Sequence, residues 1–184
     1  MDPERGQIVW EAAPVRGLLA ASESALVAMG ADGTLVRLEP DSGVVRWRTP
    51  TSVTGALAPA LGGDRVFVVG KGAAALDLIS GRVLWTSDEG EASAPPVLSG
   101  KALLVGERDG TLRARDAMDG HTQWSFPTGA PILAAPALDG RGRVFVGTTS
   151  RRFLAVSFAA GKQLWRWRVG ADVQAPPALL PVHP

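Results

Sequence analysis

The chain has 184 residues, with 19 Lys plus Arg against 18 Asp plus Glu and a formal net charge of +1. That balance removes the electrostatic case for a dedicated nucleic-acid binder, which needs a surplus of basic residues. Hydrophobic residues make up 46%, enough to build a core, and 22 Gly and 14 Pro point to many short elements joined by tight turns. Cys and Asn are absent and His occurs only at 121 and 183, which excludes disulfides, thiol nucleophiles and thiolate or His-rich metal sites.

Along the chain, Met1–Arg5 lacks a basic stretch followed by an apolar one, so no signal peptide is expected. No apolar run approaches 18 residues, so no membrane insertion is expected. Trp10 opens a series continued by Trp47, Trp85, Trp124 and Trp165, at steps of 37, 38, 39 and 41 residues. Each Trp follows a Gly by four positions: Gly6, Gly43, Gly81, Gly120 and Gly161. Some ten residues after the Trp comes an Ala-Pro element (Ala58-Pro59, Ala94-Pro95, Ala135-Pro136, Ala175-Pro176). An apolar run precedes each turn: Leu26–Ala28, Val66–Val68, Leu103–Val105 and Val144–Val146. The turn is clearest as Asp32-Gly33-Thr34 and Asp109-Gly110-Thr111. An alternating segment then ends at Glu39, Asp77, Asp116 or Ser157, four residues before the next Gly.

None of these pieces has helical periodicity. Each is short, apolar or alternating, and bounded by Gly, Pro or Asp. Four strands in a period of about 40 residues is the signature of a β-propeller blade. The blades are expected at 15–49, 55–87, 93–127 and 132–168 of a single domain, with an outer strand at 6–11 and an inner strand at 173–180. Closing a ring from both termini would give a joint blade lacking its two middle strands. Three readings stay open: a piece of a larger ring, a half ring that pairs with a second copy, or a small complete ring.

The stretch from Asp109 to Trp124, Asp-Gly-Thr-Leu-x-Ala-x-Asp-x-x-x-Gly-x-x-x-Trp, resembles the PQQ-like repeat. That resemblance implies an all-β propeller of four-stranded antiparallel blades. Such repeats build quinoprotein dehydrogenases, BamB-type outer-membrane assembly factors and sensor domains of some bacterial kinases. It further implies that Trp47, Trp85, Trp124 and Trp165 dock between blades, with Gly43, Gly81, Gly120 and Gly161 at the turns leading to them. A dehydrogenase of this kind holds its quinone over Ca²⁺ with Asn and carboxylate ligands, often beside a Cys pair. This chain offers neither Asn nor Cys, so no catalytic residue, metal or cofactor is expected.

The expected function is a non-enzymatic scaffold for protein partners. A ligand-sensing domain of a larger receptor or kinase is the alternative, and self-association to complete a ring is a further possibility. The resemblance places such a scaffold in the periplasm or cell envelope, although no residue here does so and the cytoplasm stays open. Candidate partner-binding residues are those that break the repeat: Arg108 before the blade 3 turn, Arg151 and Arg152 in place of the Asp-Gly-Thr turn in blade 4, and the aromatics Phe126 and Trp167. Thr49 and Ser87 hold the Phe126/Trp167 position in the other outer strands.

Overall fold

In the computed structural model, residues 15–30 and 32–177 are described. The expected strand at 6–11, with Trp10, and residue His183 lie outside them. The described residues form only β-strands, turns and irregular segments. In chain order the strands are β1 (Val15–Ser22), β2 (Ala25–Gly30), β3 (Thr34–Leu38), β4 (Val45–Pro50), β5 (Ala60–Gly62), β6 (Arg65–Asp77) and β7 (Val83–Glu91). They continue with β8 (Val97–Ser99), β9 (Ala102–Gly106), β10 (Thr111–Asp116), β11 (Thr122–Pro127), β12 (Ala137–Leu138), β13 (Arg143–Thr148), β14 (Arg152–Ser157) and β15 (Gln163–Arg168). Residues 173–177, the described part of the expected trailing strand, are irregular.

Three sheets are four-stranded antiparallel meanders, β1-β2-β3-β4, β8-β9-β10-β11 and β12-β13-β14-β15. The fourth is β5-β6-β7. Its β6 is long because two strands run together: Leu78 N donates to Asp64 O at 2.8 Å, so the two ends of β6 lie side by side and the element folds back around Gly70–Gly72. Blade 2 thus makes its central hairpin without the Asp-Gly-Thr turn of blades 1 and 3. Inner strand β5 touches both β1 and β8, which sets successive blades side by side about one axis. The sheets do not close into a ring among the described residues.

The local chemistry of each blade recurs. After the third strand a tight turn is pinned by two backbone bonds, Asp116 N to His121 O and Gly120 N to Asp116 O in blade 3. The same pair of bonds recurs at Glu39–Val44, Asp77–Arg82 and Ser157–Lys162. Each third-to-fourth strand pairing slips by one residue just before the Trp, between Arg37 and Leu38, Ala75 and Leu76, Ala114 and Arg115, and Ala155 and Val156. A bulge of this kind bends and twists the outer strand and re-aims its side chains.

The Trp side chains join the blades. Trp47 Nε1 donates to Leu78 O at 2.9 Å, Trp85 Nε1 to Ala117 O at 3.1 Å and Trp124 Nε1 to Phe158 O at 2.8 Å. Each acceptor belongs to the next blade. The ring lies on the turn glycine of that blade: a Cβ at Gly81, Gly120 or Gly161 would sit 2.6 Å from the ring of Trp47, Trp85 or Trp124. These glycines also have φ of +72°, +80° and +60°, a region other residues occupy at a cost. Two independent constraints therefore demand Gly at one position. Apolar cores fill the space between sheets, with Val66, Val68, Leu76 and Trp47 in the first gap, Phe67, Ala75, Leu103 and Trp85 in the second, and Leu104, Leu112, Val144 and Leu154 in the third.

Trp85→Ala is expected to destabilise the chain by about 3–5 kcal/mol, as for other large-to-small core changes. Gly120→Val, which leaves Trp85 in place, should be at least as damaging, because it adds backbone strain to the clash. Urea unfolding of both variants checks this. A Gly120→Val chain as stable as the parent would show that the ring does not rest on this glycine.

Candidate functional site

The acids that recur with the repeat are held by their own turns. Asp32 accepts from Thr34 N at 3.0 Å and Thr34 Oγ1 at 2.7 Å. Asp109 accepts from Thr111 N at 2.8 Å, and Asp77 from Ser80 N at 2.7 Å and Oγ at 2.6 Å. These bonds hold the Asp32 and Asp77 carboxyls below their ordinary range, the Thr34 and Ser80 hydroxyls having the largest effect. The periodic acids thus serve as turn-formers.

A second charged group lies inside the protein, between blades 2 and 3. Arg113 grips Glu107 through two nitrogens, Nε to Oε1 at 2.7 Å and Nη2 to Oε2 at 3.1 Å, and reaches Glu89 Oε1 at 2.8 Å. Arg115 donates to Gly120 O at 3.2 Å, to Ser87 Oγ at 3.1 Å and to Glu89 O at 2.6 Å. Glu107 and Arg115 are each only 2% exposed. The Glu107 hydrogen bond raises Arg113, burial pushes Arg115 down, and the Thr122 hydroxyl leads the lowering of Glu89. The two residues that flank the Trp-paired position on the third strand are Val36 and Leu38 in blade 1, Ala74 and Leu76 in blade 2, and Leu154 and Val156 in blade 4. Arg113 and Arg115 replace these apolar pairs in blade 3. Their donors are taken up within the fold, so the network reads as an interface and not as a binding site.

The repeat-breaking residues of blade 4 have no such partners. The turn from β13 to β14 is Ser150-Arg151-Arg152, where blade 3 has Asp109-Gly110-Thr111. Arg151 adopts φ +59°, the only left-handed non-Gly residue among those described. Gly33 and Gly110 hold the matching turn positions at +82° and +89°. Val169 N donates to Arg151 O at 2.9 Å, as Thr128 N does to Gly110 O, so the turn keeps its geometry with a residue that fits it poorly. Across the sheet, Arg152 lies opposite Arg168 and Leu154 opposite Arg166. Ser150, Arg152, Arg166, Trp167 and Arg168 line an open cleft of about 370 Å³. Among the described residues, no ion pair involves Arg151, Arg152, Arg166 or Arg168. Arg152 makes one long hydrogen bond, to Thr128 O at 3.4 Å.

Arg152 and Trp167 are therefore brought together at the cleft, with Arg151 next to it on the turn, and two residues not singled out in the sequence, Arg166 and Arg168, join them. The signal for those two was the run Trp165-Arg166-Trp167-Arg168, whose alternation puts both arginines on one face of a strand. The other two candidates lie elsewhere. Arg108 pairs with Glu91 at 2.8 Å on the blade 3 turn. Phe126 is half-buried in the core between blades 3 and 4. Trp167 also belongs to the outward flank of blade 4, where it packs at 5.5 Å between ring centres on Trp165, which in turn packs on Phe145 and Phe153.

A family model described as outer membrane protein assembly factor BamB matches residues 1–131 and 108–181. The chain belongs to this PQQ-like repeat family of β-propellers. It is 29% identical over 147 residues to outer membrane protein assembly factor BamB of Nitrosomonas eutropha, covering 77% of this chain and 36% of that one. It is 33% identical over 124 residues to the serine/threonine-protein kinase AfsK of Streptomyces griseus, covering 61% of this chain and 15% of the kinase. The chain thus spans well under half the length of these relatives. Quinohemoprotein alcohol dehydrogenase of Comamonas testosteroni has the same fold, with a TM-score of 0.75 at 14% identity over 92% of this chain and 39% of that one.

The dehydrogenase likeness raises a quinone and its metal. The donor set does not fit them. Among the described residues no group of three or more His, Cys, Asp or Glu could hold a metal ion, and the chain has no Asn or Cys to complete one.

Arg151→Gly is expected to stabilise the chain by about 1 kcal/mol, the order of the left-handed penalty for a residue with a Cβ. For a domain of this size that is a rise in Tm of roughly 2–4 °C. Differential scanning calorimetry checks it. A drop in Tm would show that Arg151 makes contacts that outweigh its strain.

Proposed function

We propose that this chain is a non-enzymatic interaction module, a propeller segment that holds a protein partner in the manner its likeness to BamB suggests. The observation that carries the reading is the gathering of unpaired arginines around one cleft at the Ser150–Arg152 turn. There Arg151 keeps an unfavourable backbone conformation that Gly would adopt freely. A strained, charged, exposed turn on a rigid sheet is where binding residues concentrate. The names of the family model and of the Nitrosomonas relative support a place in the cell envelope. The kinase relative supports a second reading, a sensor domain of a larger receptor, which would use the same surface for a different partner.

In cells, a photo-crosslinking amino acid at Ser150 is expected to give a discrete protein adduct, and the same group at Asp41, on a blade 1 turn, is not. No adduct at Ser150, or saturable binding of PQQ with Ca²⁺ accompanied by dye reduction, would overturn the reading.

The flank of blade 4 supports self-association as well. Trp167 is 69% exposed and Leu164 51%, beside the aromatic cluster of Trp165. An apolar face of this kind associates unless covered. Light scattering is expected to show a mass that grows with concentration, and Trp167→Ser should reduce that growth. A parent chain that stays monomeric at every concentration would show that this flank does not pair copies.

A further inference from the structure

The near-neutral total charge hides a strong asymmetry. From Ala137 to Arg168, the whole of blade 4, there are seven Arg and Lys and a single acid, Asp139. The rest of the chain holds the other twelve basic and seventeen acidic residues, so blade 4 is strongly cationic on a protein that is otherwise acidic. The one acid is already used, because Asp139 accepts from Arg143 Nε and from the backbone of Arg141 and Arg143.

The remaining charge is ordered by the strand. Arg166 and Arg168 are two residues apart on β15, so their side chains share a face at a spacing of about 6.4–6.8 Å. Arg152 stands opposite Arg168 on the neighbouring strand. β15 is the outer edge of its sheet and pairs only with β14 among the described residues. Its other row of backbone groups is therefore open to an added strand. The other outer strands are not built this way. On β4, Arg46 is tied to Glu39 and Arg48 stands at the place of Arg166, but Pro50 holds the place of Arg168 and Thr34 that of Arg152; β7 carries Asp88, Glu89 and Glu91; β11 has no basic residue.

We infer that the outer edge of β15, with the Ser150–Arg152 turn, is a docking site for an acidic, extended segment of a partner protein. The segment lies along β15 as an added strand, and its carboxylates, on every second residue, meet Arg166, Arg168 and Arg152. Main-chain hydrogen bonds to the strand edge give register. Bidentate arginine–carboxylate pairs give the preference for acid. A peptide in β conformation repeats its side chains with the same period of two as the arginines, so charge and backbone can be matched together. This rests on the interaction reading above and names the partner's chemistry.

The test uses the whole 184-residue chain and a fluorescein-labelled peptide of alternating Glu and Val, followed by fluorescence anisotropy. The expected result is saturable binding that weakens as salt is raised. Arg166→Gln with Arg168→Gln should weaken it by about tenfold, as for loss of charge-assisted hydrogen bonds. Arg82→Gln with Lys101→Gln, which removes two charges outside blade 4, should leave it unchanged. Methylating alternate peptide amides should also weaken binding, a change that a purely ionic contact would not feel. Absence of binding at low salt, equal affinity for an alternating Lys and Val peptide, or tighter binding of a single-stranded oligonucleotide of the same charge would each overturn the inference. So would indifference to amide methylation or to loss of the β15 arginines. If the peptide fails while the Ser150 crosslink persists, the partner's chemistry is wrong and the interaction reading stands. If both fail, both readings fall.

Discussion

A Trp ring resting on a glycine of the next blade is the contact on which the rest of the structure depends. It needs three things at once: a residue without Cβ, a left-handed backbone at that residue, and a carbonyl at the right distance to accept from the indole nitrogen. The tight turn after the third strand supplies all three, since Gly81 and Leu78, Gly120 and Ala117, or Gly161 and Phe158 are three residues apart in one turn. An aromatic ring buried this way contributes a large apolar area, and the indole N–H is satisfied as it must be when withdrawn from water. The spacing from Gly to Trp within a blade is fixed because the same turn that receives one ring launches the strand that carries the next. The dock therefore propagates from blade to blade and sets the period of the chain.

Within that frame a blade can vary where the dock does not reach. Blade 2 discards the Asp-Gly-Thr turn and folds back around Gly70–Gly72. Blade 3 exchanges two apolar positions for Arg113 and Arg115 and recovers the loss with Glu107, Glu89, Ser87 and the carbonyl of Gly120. Such a network is tolerable between blades because its donors are largely matched to acceptors; removing Glu107 alone would leave Arg113 with the half-exposed Glu89 as its one carboxylate. Blade 4 makes the opposite kind of change. Arg151, Arg152, Arg166 and Arg168 are added at the edge, and among the described residues no ion pair receives them. Burial and pairing separate a charge that serves the fold from a charge left over for a partner, and by that criterion blade 4 is set apart.

The fold was legible because its signals are local and periodic. Gly and Trp at a fixed offset, an Ala-Pro element and a three-residue apolar run can each be read without knowing what they touch. The bulge before every Trp was not legible, because a register slip depends on the partner strand and leaves no mark of its own in composition. The continuous β6 was hidden for a related reason: blade 2 has no Asp-Gly-Thr at its central turn, and only the bond between Asp64 and Leu78 shows how the two halves lie. The site was half visible. Arg151 and Arg152 break a repeat, which a sequence comparison detects, whereas Arg166 and Arg168 sit at positions with no fixed identity and become a group only when β14 and β15 pair. Arg113 and Arg115 do leave a mark in the sequence, two basic residues at positions apolar in the other three blades.

Trp167 shows why departure from a repeat is not enough to assign a role. It lies opposite Phe153, on the face that blade 3 turns toward blade 4, and Phe126 holds the corresponding place there, half-buried by its neighbour. The same position is exposed in blade 4 because nothing is packed against that flank among the described residues. Trp165 beside it holds the register of Trp47, Trp85 and Trp124 but, among the described residues, has no glycine or carbonyl to rest on, and it packs on Phe145, Phe153 and Trp167 in their place. The flank is therefore the Trp half of a dock, complementary to a turn of the kind seen at Gly81, Gly120 and Gly161. The chain beyond blade 4 follows the route taken after blade 3: Val173 packs over Gly147 and donates to Thr148 O, as Ile132 packs over Gly106 and donates to Glu107 O. Exposure of Trp167 follows from this architecture, whereas the charge on β15 and the strain at Arg151 do not. The arginines, and not the tryptophan, are the residues whose presence the fold leaves unexplained.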